Sequence, residues 1–192
     1  MSPLATMLVF TLLSGGACPF AGTLFQTPPR LTTLPDDPCA VLSQEQMAAI
    51  TNLAVTAVRR VPTIAKVVDA ERENREPRPG TICVYETDSA FGGISIVVPD
   101  RATRTTGAYW AARSSYFETY RGSARPIPDV ALDAWLAGGA DLHVLVRDNE
   151  YFTVSAQMWS RTHPIPSGQG HEFFTRAGEL LTTIARAIVA RL

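Results

Sequence analysis

The chain is predicted to fold as an α+β domain: an antiparallel β-sheet with N-terminal, middle and C-terminal helices packed against it. Three observations carry this expectation. Two pairs of β-branched and aromatic runs, 81–87 with 93–99 and 142–147 with 150–157, are each separated by turn residues. The segment 107–122 is aromatic-rich with apolar residues at helical spacing, and 173–192 carries an apolar stripe of the same period. The charged and Pro/Gly-rich segments fall between these runs, where connections belong.

The N-terminus comes first. Residues 4–13 (LATMLVFTLL) are uncharged and are followed by Ser14-Gly15-Gly16-Ala17-Cys18. As a helix such a run spans about 15 Å, roughly half a bilayer core, so it is too short to cross a membrane. It has the length of a signal-peptide apolar region, with small residues before a cleavage point. Residues 1–17 are therefore expected as a signal peptide, and the alternative is a cytosolic protein with an apolar N-terminal strand or helix. Small residues before a cysteine also resemble the lipobox of bacterial lipoproteins, which makes Cys18 the expected lipidation site, with simple cleavage the alternative; Gly15 stands where that pattern prefers leucine, and no Lys or Arg precedes Arg30. Residues 18–36, with Pro28-Pro29 and Thr32-Thr33, show no steady period and read as a flexible tether. The remaining residues, 37–192, suit a single domain.

That domain opens at Asp37-Pro38-Cys39. Ser43 and Gln46 form the S-x-x-Q capping box, with Leu42 and Met47 placed as a hydrophobic staple. A helix is expected from Gln44 to about Asn52, and Pro62 bars its continuation past Arg60. Residues 55–61 alternate and could form a strand, a choice left open by the pattern. Residues 69–79 (DAERENREPRP) are expected as a solvated loop. Runs 81–87 (TICVYET) and 93–99 (GISIVVP) read as an antiparallel hairpin.

In the middle helix Tyr109, Ala112, Tyr116 and Tyr120 share one face, with Trp110 and Phe117 on a neighbouring one. Arg113 and Glu118 are assigned to solvent. Asp148-Asn149 predicts a tight hairpin joining 142–147 to 150–157. Leu142, Val144 and Val146 are assigned to one face of that hairpin and Leu145, Phe152 and Val154 to the other, which places it centrally. Residues 161–170 are expected as a Pro/Gly loop. Phe174, Ala177, Leu181, Ile184, Ala185 and Ile188 then form the stripe of the closing helix. A sheet of three to six strands is expected.

Composition narrows the function classes. The formal net charge is −1 and the apolar fraction 46%, which excludes a strongly basic nucleic-acid binder and a long disordered chain. The chain has three cysteines. If Cys18 is lipidated, Cys39 and Cys83 remain as an even pair. In an oxidising compartment a bridge between them is expected, worth roughly 4 kcal/mol in the chain-entropy model. Two buried free thiols are the alternative.

The order of these features resembles a group of small bacterial envelope lipoproteins of unknown function, best known from actinobacteria. Their domains open with Asp-Pro-Cys leading into a capped helix and place a second cysteine before an aromatic, as in Cys83-Val84-Tyr85 here. The resemblance covers about residues 36–192. It implies the PsbP/Mog1-like fold, the Cys39–Cys83 bridge and a lipid anchor on Cys18. It implies no activity.

No chemical motif stands out. There is no Gly-x-Ser-x-Gly, phosphate loop or dinucleotide fingerprint, and Gly92-Gly93 and Gly138-Gly139 read as turns. His143, His163 and His171 are the only histidines, and they are expected to be exposed or singly hydrogen-bonded rather than a metal site. Ser114, Ser115 and Ser123 lack the context of a nucleophile. No catalytic residue and no cofactor are expected. The leading expectation is an exported, non-catalytic interaction module of the cell envelope, held to the membrane through Cys18 and presenting one face to an envelope protein partner. The second is a carrier of a small apolar molecule in a groove lined by Tyr109, Trp110, Tyr116, Phe117 and Tyr120. A hydrolase is the third. A nucleic-acid partner is not expected.

Overall fold

The computed structural model describes residues 30–62, 80–89, 91–119, 122–157 and 170–192. The signal peptide, Cys18, most of the tether, the 69–79 loop, Tyr120, Trp159 and His163 lie outside them. Among the described residues the architecture is α+β, a sheet of seven strands rather than the expected three to six, with three α-helices.

A short 3-10 turn, Pro38–Ala40, is capped by the Asp37 carboxylate, which accepts from the Cys39 amide. Helix α1 (Gln44–Thr51) follows. Both bonds of its capping box form: Gln46 N donates to Ser43 Oγ at 3.2 Å and Ser43 N donates to Gln46 Oε1 at 2.8 Å. Leu42 and Met47, the staple pair, are both buried. The helix stops at Asn52, which takes the left-handed conformation (φ 54°) that short polar side chains tolerate. The chain then reverses into β1 (Val55–Pro62), so the open choice over 55–61 resolves as a strand.

Strands β2 (Gly80–Thr87) and β3 (Gly93–Pro99) form the expected hairpin. Helix α2 (Thr106–Thr119) precedes β4 (Ala124–Pro126), β5 (Asp133–Ala137), β6 (Asp141–Arg147), β7 (Glu150–Gln157) and helix α3 (Gly170–Val189). The sheet order is β1-β2-β3-β7-β6-β5-β4, with every neighbouring pair antiparallel. The β6–β7 hairpin is central, as its apolar content predicts. Its facial assignment needs correction, because Phe152 lies opposite Val144 and Val154 opposite Leu142. Directly opposed residues share a face, so these four point the same way, and Leu145 and its partner Tyr151 point the other.

The two faces are packed differently. On one, Cys83, Tyr85, Ile94, Ile96, Leu142, Val144, Phe152 and Val154 meet Phe173, Ala177, Leu181, Ile184 and Ile188 of α3, with Met47 of α1 joining the same cluster. The disulfide Cys39–Cys83 ties the 3-10 turn to β2, with Cα atoms 5.0 Å apart, inside the range a bridge requires. On the other face, Tyr109 of α2 packs with Trp135, Ala137, Leu145 and Tyr151.

The segment before Asp37 crosses one end of the sheet as a strap. Leu31 N donates to Arg191 O, Arg147 Nη2 donates to Thr32 O, and Leu34 N donates to Glu150 Oε2 at 2.9 Å. Leu34 is fully buried. The end of the predicted tether is thus part of the domain: an apolar residue and three hydrogen bonds hold 31–34 in place.

Candidate functional site

The face under α2 is where the structure gathers the aromatic residues singled out in the sequence. Thr105 Oγ1 accepts from Ala108 N at 3.1 Å and caps the start of the helix. The β6–β7 turn fixes the same end from outside, since Asn149 Oδ1 accepts from Thr106 N and Thr106 Oγ1 accepts from Asn149 N. The helix is therefore pinned at its N-terminus to the central hairpin, and its register over the sheet is set there.

Tyr109 is buried, with its ring 5.6 Å from that of Tyr151. Its hydroxyl donates to Asp133 Oδ2 at 2.8 Å, and Arg113 Nε lies 3.1 Å from the same oxygen. Burial first, and then the bonded Asp133 carboxylate, push the Tyr109 hydroxyl well above the ordinary phenol range. Tyr116 and Phe117 press on Trp135, at 5.2 and 5.8 Å between ring centres. On β6, His143 stacks against Trp135 and bonds Thr153 Oγ1 through Nδ1 at 3.0 Å. Tyr109, Tyr116 and Phe117 therefore pack on the sheet, over Tyr151 and Trp135. Tyr120, the fifth residue of the expected groove, lies outside the described residues.

Trp110 is different. It is 41% exposed, one of two large apolar side chains at the surface of the described residues; the other is Leu132, at 65%. The Arg113 guanidinium lies 5.5 Å from the Trp110 ring centre and 4.7 Å from that of Phe117. Arg113 thus does not take the solvent position assigned from the sequence. It is a bracket between the exposed indole and Asp133, the residue next to Leu132. Arg enriched beside Trp is the composition of interface anchors, where a planar cation and a large ring give area at low entropic cost. Helical periodicity alone sends Arg113 outward because a charged residue is placed by default in water. The missed signal is Asp133, a carboxylate in a strand no pattern had revealed.

Among the described residues no group of three or more His, Cys, Asp or Glu is placed to hold a metal ion. His143 is committed to Trp135 and Thr153, and His171 sits in the first turn of α3. Ser114, Ser115 and Ser123 are exposed. No described helix is long and apolar enough to cross a membrane. Comparison with known proteins finds no matching family, no matching curated protein and no matching solved structure.

Proposed function

We propose that this chain is an interaction module of the cell envelope, exported, anchored by lipid on Cys18, and docked to a protein partner through the outer side of α2. The observation that carries the reading is the exposed Trp110 beneath the Arg113 guanidinium, which is itself held by Asp133. A Trp–Arg pair on a helix pinned to the central hairpin is a small preorganised anchor for a partner surface. The disulfide supports an oxidising compartment, since such bridges are rare where thiols are kept reduced. The apolar-carrier alternative draws no support from Tyr109, Tyr116 and Phe117, whose rings are spent on packing against Tyr151 and Trp135. The PsbP/Mog1-like fold belongs to the same proposal, as the finer description of an antiparallel sheet with helices on its two faces.

The test is site-specific photocrosslinking of the full chain in a bacterial host. A photoreactive phenylalanine replaces Trp110 in one strain and the exposed Glu179 of α3 in another. A discrete protein adduct from position 110 and none from 179 is the expected result. No adduct from 110, or the same adducts from both positions, overturns the docking proposal. The intact mass of the membrane-fraction protein tests the anchor: residues 18–192 plus acyl chains are expected, and an unprocessed chain overturns it.

A further inference from the structure

Away from the aromatic face, the strap, the 101–105 segment and the β6–β7 turn border an open pocket of about 410 Å³, lined by Thr33, Arg101, Arg104, Thr105, Asn149 and Glu150. That volume lies at the lower end of small-molecule sites. Arg104 is 2% exposed. Among the described residues its Nε and Nη1 are buried without a hydrogen-bond partner, and its Nη2 has only Asp36 Oδ1, at 3.4 Å. A buried guanidinium with two of three nitrogens unsatisfied is costly, and folds retain such a group where something completes it.

Asp36 is a loose partner. Its side chain is 64% exposed, and the same Oδ1 is shared with Arg101 Nε at 3.6 Å. Both distances exceed those of a well-formed charge-assisted bond. The one acidic side chain in the lining, Glu150, already accepts the Leu34 amide. The lining holds two arginines and one carboxylate, and Asp36 beside it is the loosely held second carboxylate that a bound oxyanion would displace. We propose that this pocket binds a small oxyanion, a carboxylate or phosphate group, which takes the place of Asp36 on Arg104 and Arg101. Planar guanidinium forks match both groups, so the shared chemistry is an oxyanion with two acceptor oxygens available.

The probes are inorganic phosphate and acetate, titrated separately into the disulfide-intact protein while the Arg104 Nε–H resonance is followed by NMR. Saturable shifts with either probe support the site, and which probe binds assigns the class. Asp36→Asn and Arg101→Gln act on exposed side chains and leave the buried Arg104 in place. Removing the competing carboxylate is expected to tighten binding about three- to fivefold, the scale of one exposed ion pair, and R101Q to weaken it by a similar factor. No saturable shift in wild type or D36N through the millimolar range overturns the proposal. So does binding that neither substitution alters.

Discussion

Trp135 on β5 and His143 on β6 are cross-strand partners whose rings stack with centres 4.0 Å apart and planes 11° apart. Tyr116 and Phe117 of α2 close on the same indole, so Trp135 is the floor on which the helix sits. Its Nε1 is buried with no hydrogen-bond partner among the described residues. Trp135→Ala is expected to cost about 3–5 kcal/mol, by loss of a large buried ring. Trp135→Phe is expected to cost about half as much, since ring packing persists and no hydrogen bond is lost. Urea midpoints of the three proteins decide this. A Trp135→Ala shift within about 0.5 kcal/mol of wild type would show that α2 is held from its ends alone.

The Cys39–Cys83 bridge closes a sequence separation of 44 residues. Chain entropy assigns such a loop roughly 4 kcal/mol, acting on the unfolded state. Replacing both cysteines by alanine avoids burying a hydroxyl at Cys83, which is fully enclosed. The double variant is expected to lose about that much in denaturant titration, and wild type with reductant to follow it. An unchanged midpoint on reduction would mean that the Asp37–Arg60 ion pair and the 3-10 turn already fix this corner.

Much of this corner was legible in the sequence, because its signals are local. Ser43 and Gln46 state their own bonds three residues apart, and the β2–β3 and β6–β7 runs are long enough for their period to show. The β4–β5 pair was not legible. Ala124–Pro126 is three residues long with a proline, and Asp133–Ala137 is a short run opening on a carboxylate; neither repeats often enough to reveal a period. Trp135 is placed only by its pairing with His143 across the β5–β6 ladder. Distance in sequence hides the site as well: Arg113 is oriented by Asp133, and Arg104 pairs with Asp36 of the strap, both partners remote in sequence.

Tyr85 gives the fold an alkaline limit. Its hydroxyl donates to Leu42 O at 2.7 Å in the core, and burial, followed by the nearby Asp37 charge, raises its pKa to about 12. The folded state holds this proton more tightly than the unfolded chain, whose tyrosine titrates near pH 10. Stability is therefore full below pH 10 and falls as pH rises toward 12, by roughly 1.4 kcal/mol per pH unit for one tyrosine. Tyr109 is raised too and adds to the slope. Denaturant titrations at pH 7 and between pH 9 and 12 should show Tyr85→Phe less stable at neutral pH, through its lost hydrogen bond, but shallower in alkaline slope by about one proton. Parallel curves for variant and wild type would assign the alkaline loss elsewhere.

The β5–β6 turn depends on Gly139, and a second glycine separates the two reasons for it. Gly139 has φ +80°, and a Cβ built there would lie 2.9 Å from both Cβ and Cδ1 of Phe174 on α3. The Phe174 Cβ is fixed to the helix backbone, so relief requires α3 itself to shift. Gly122 has a similar φ of +94° but nothing within 4 Å of the added atom among the described residues. Gly122→Ala thus reports backbone strain alone, expected at about 1 kcal/mol. Gly139→Ala adds the collision with α3 and is expected to cost about 2–4 kcal/mol. Thermal and urea unfolding of the two variants measure the difference. Equal losses would mean that α3 gives way freely over this turn, and that the close contact with Phe174 does not constrain the fold.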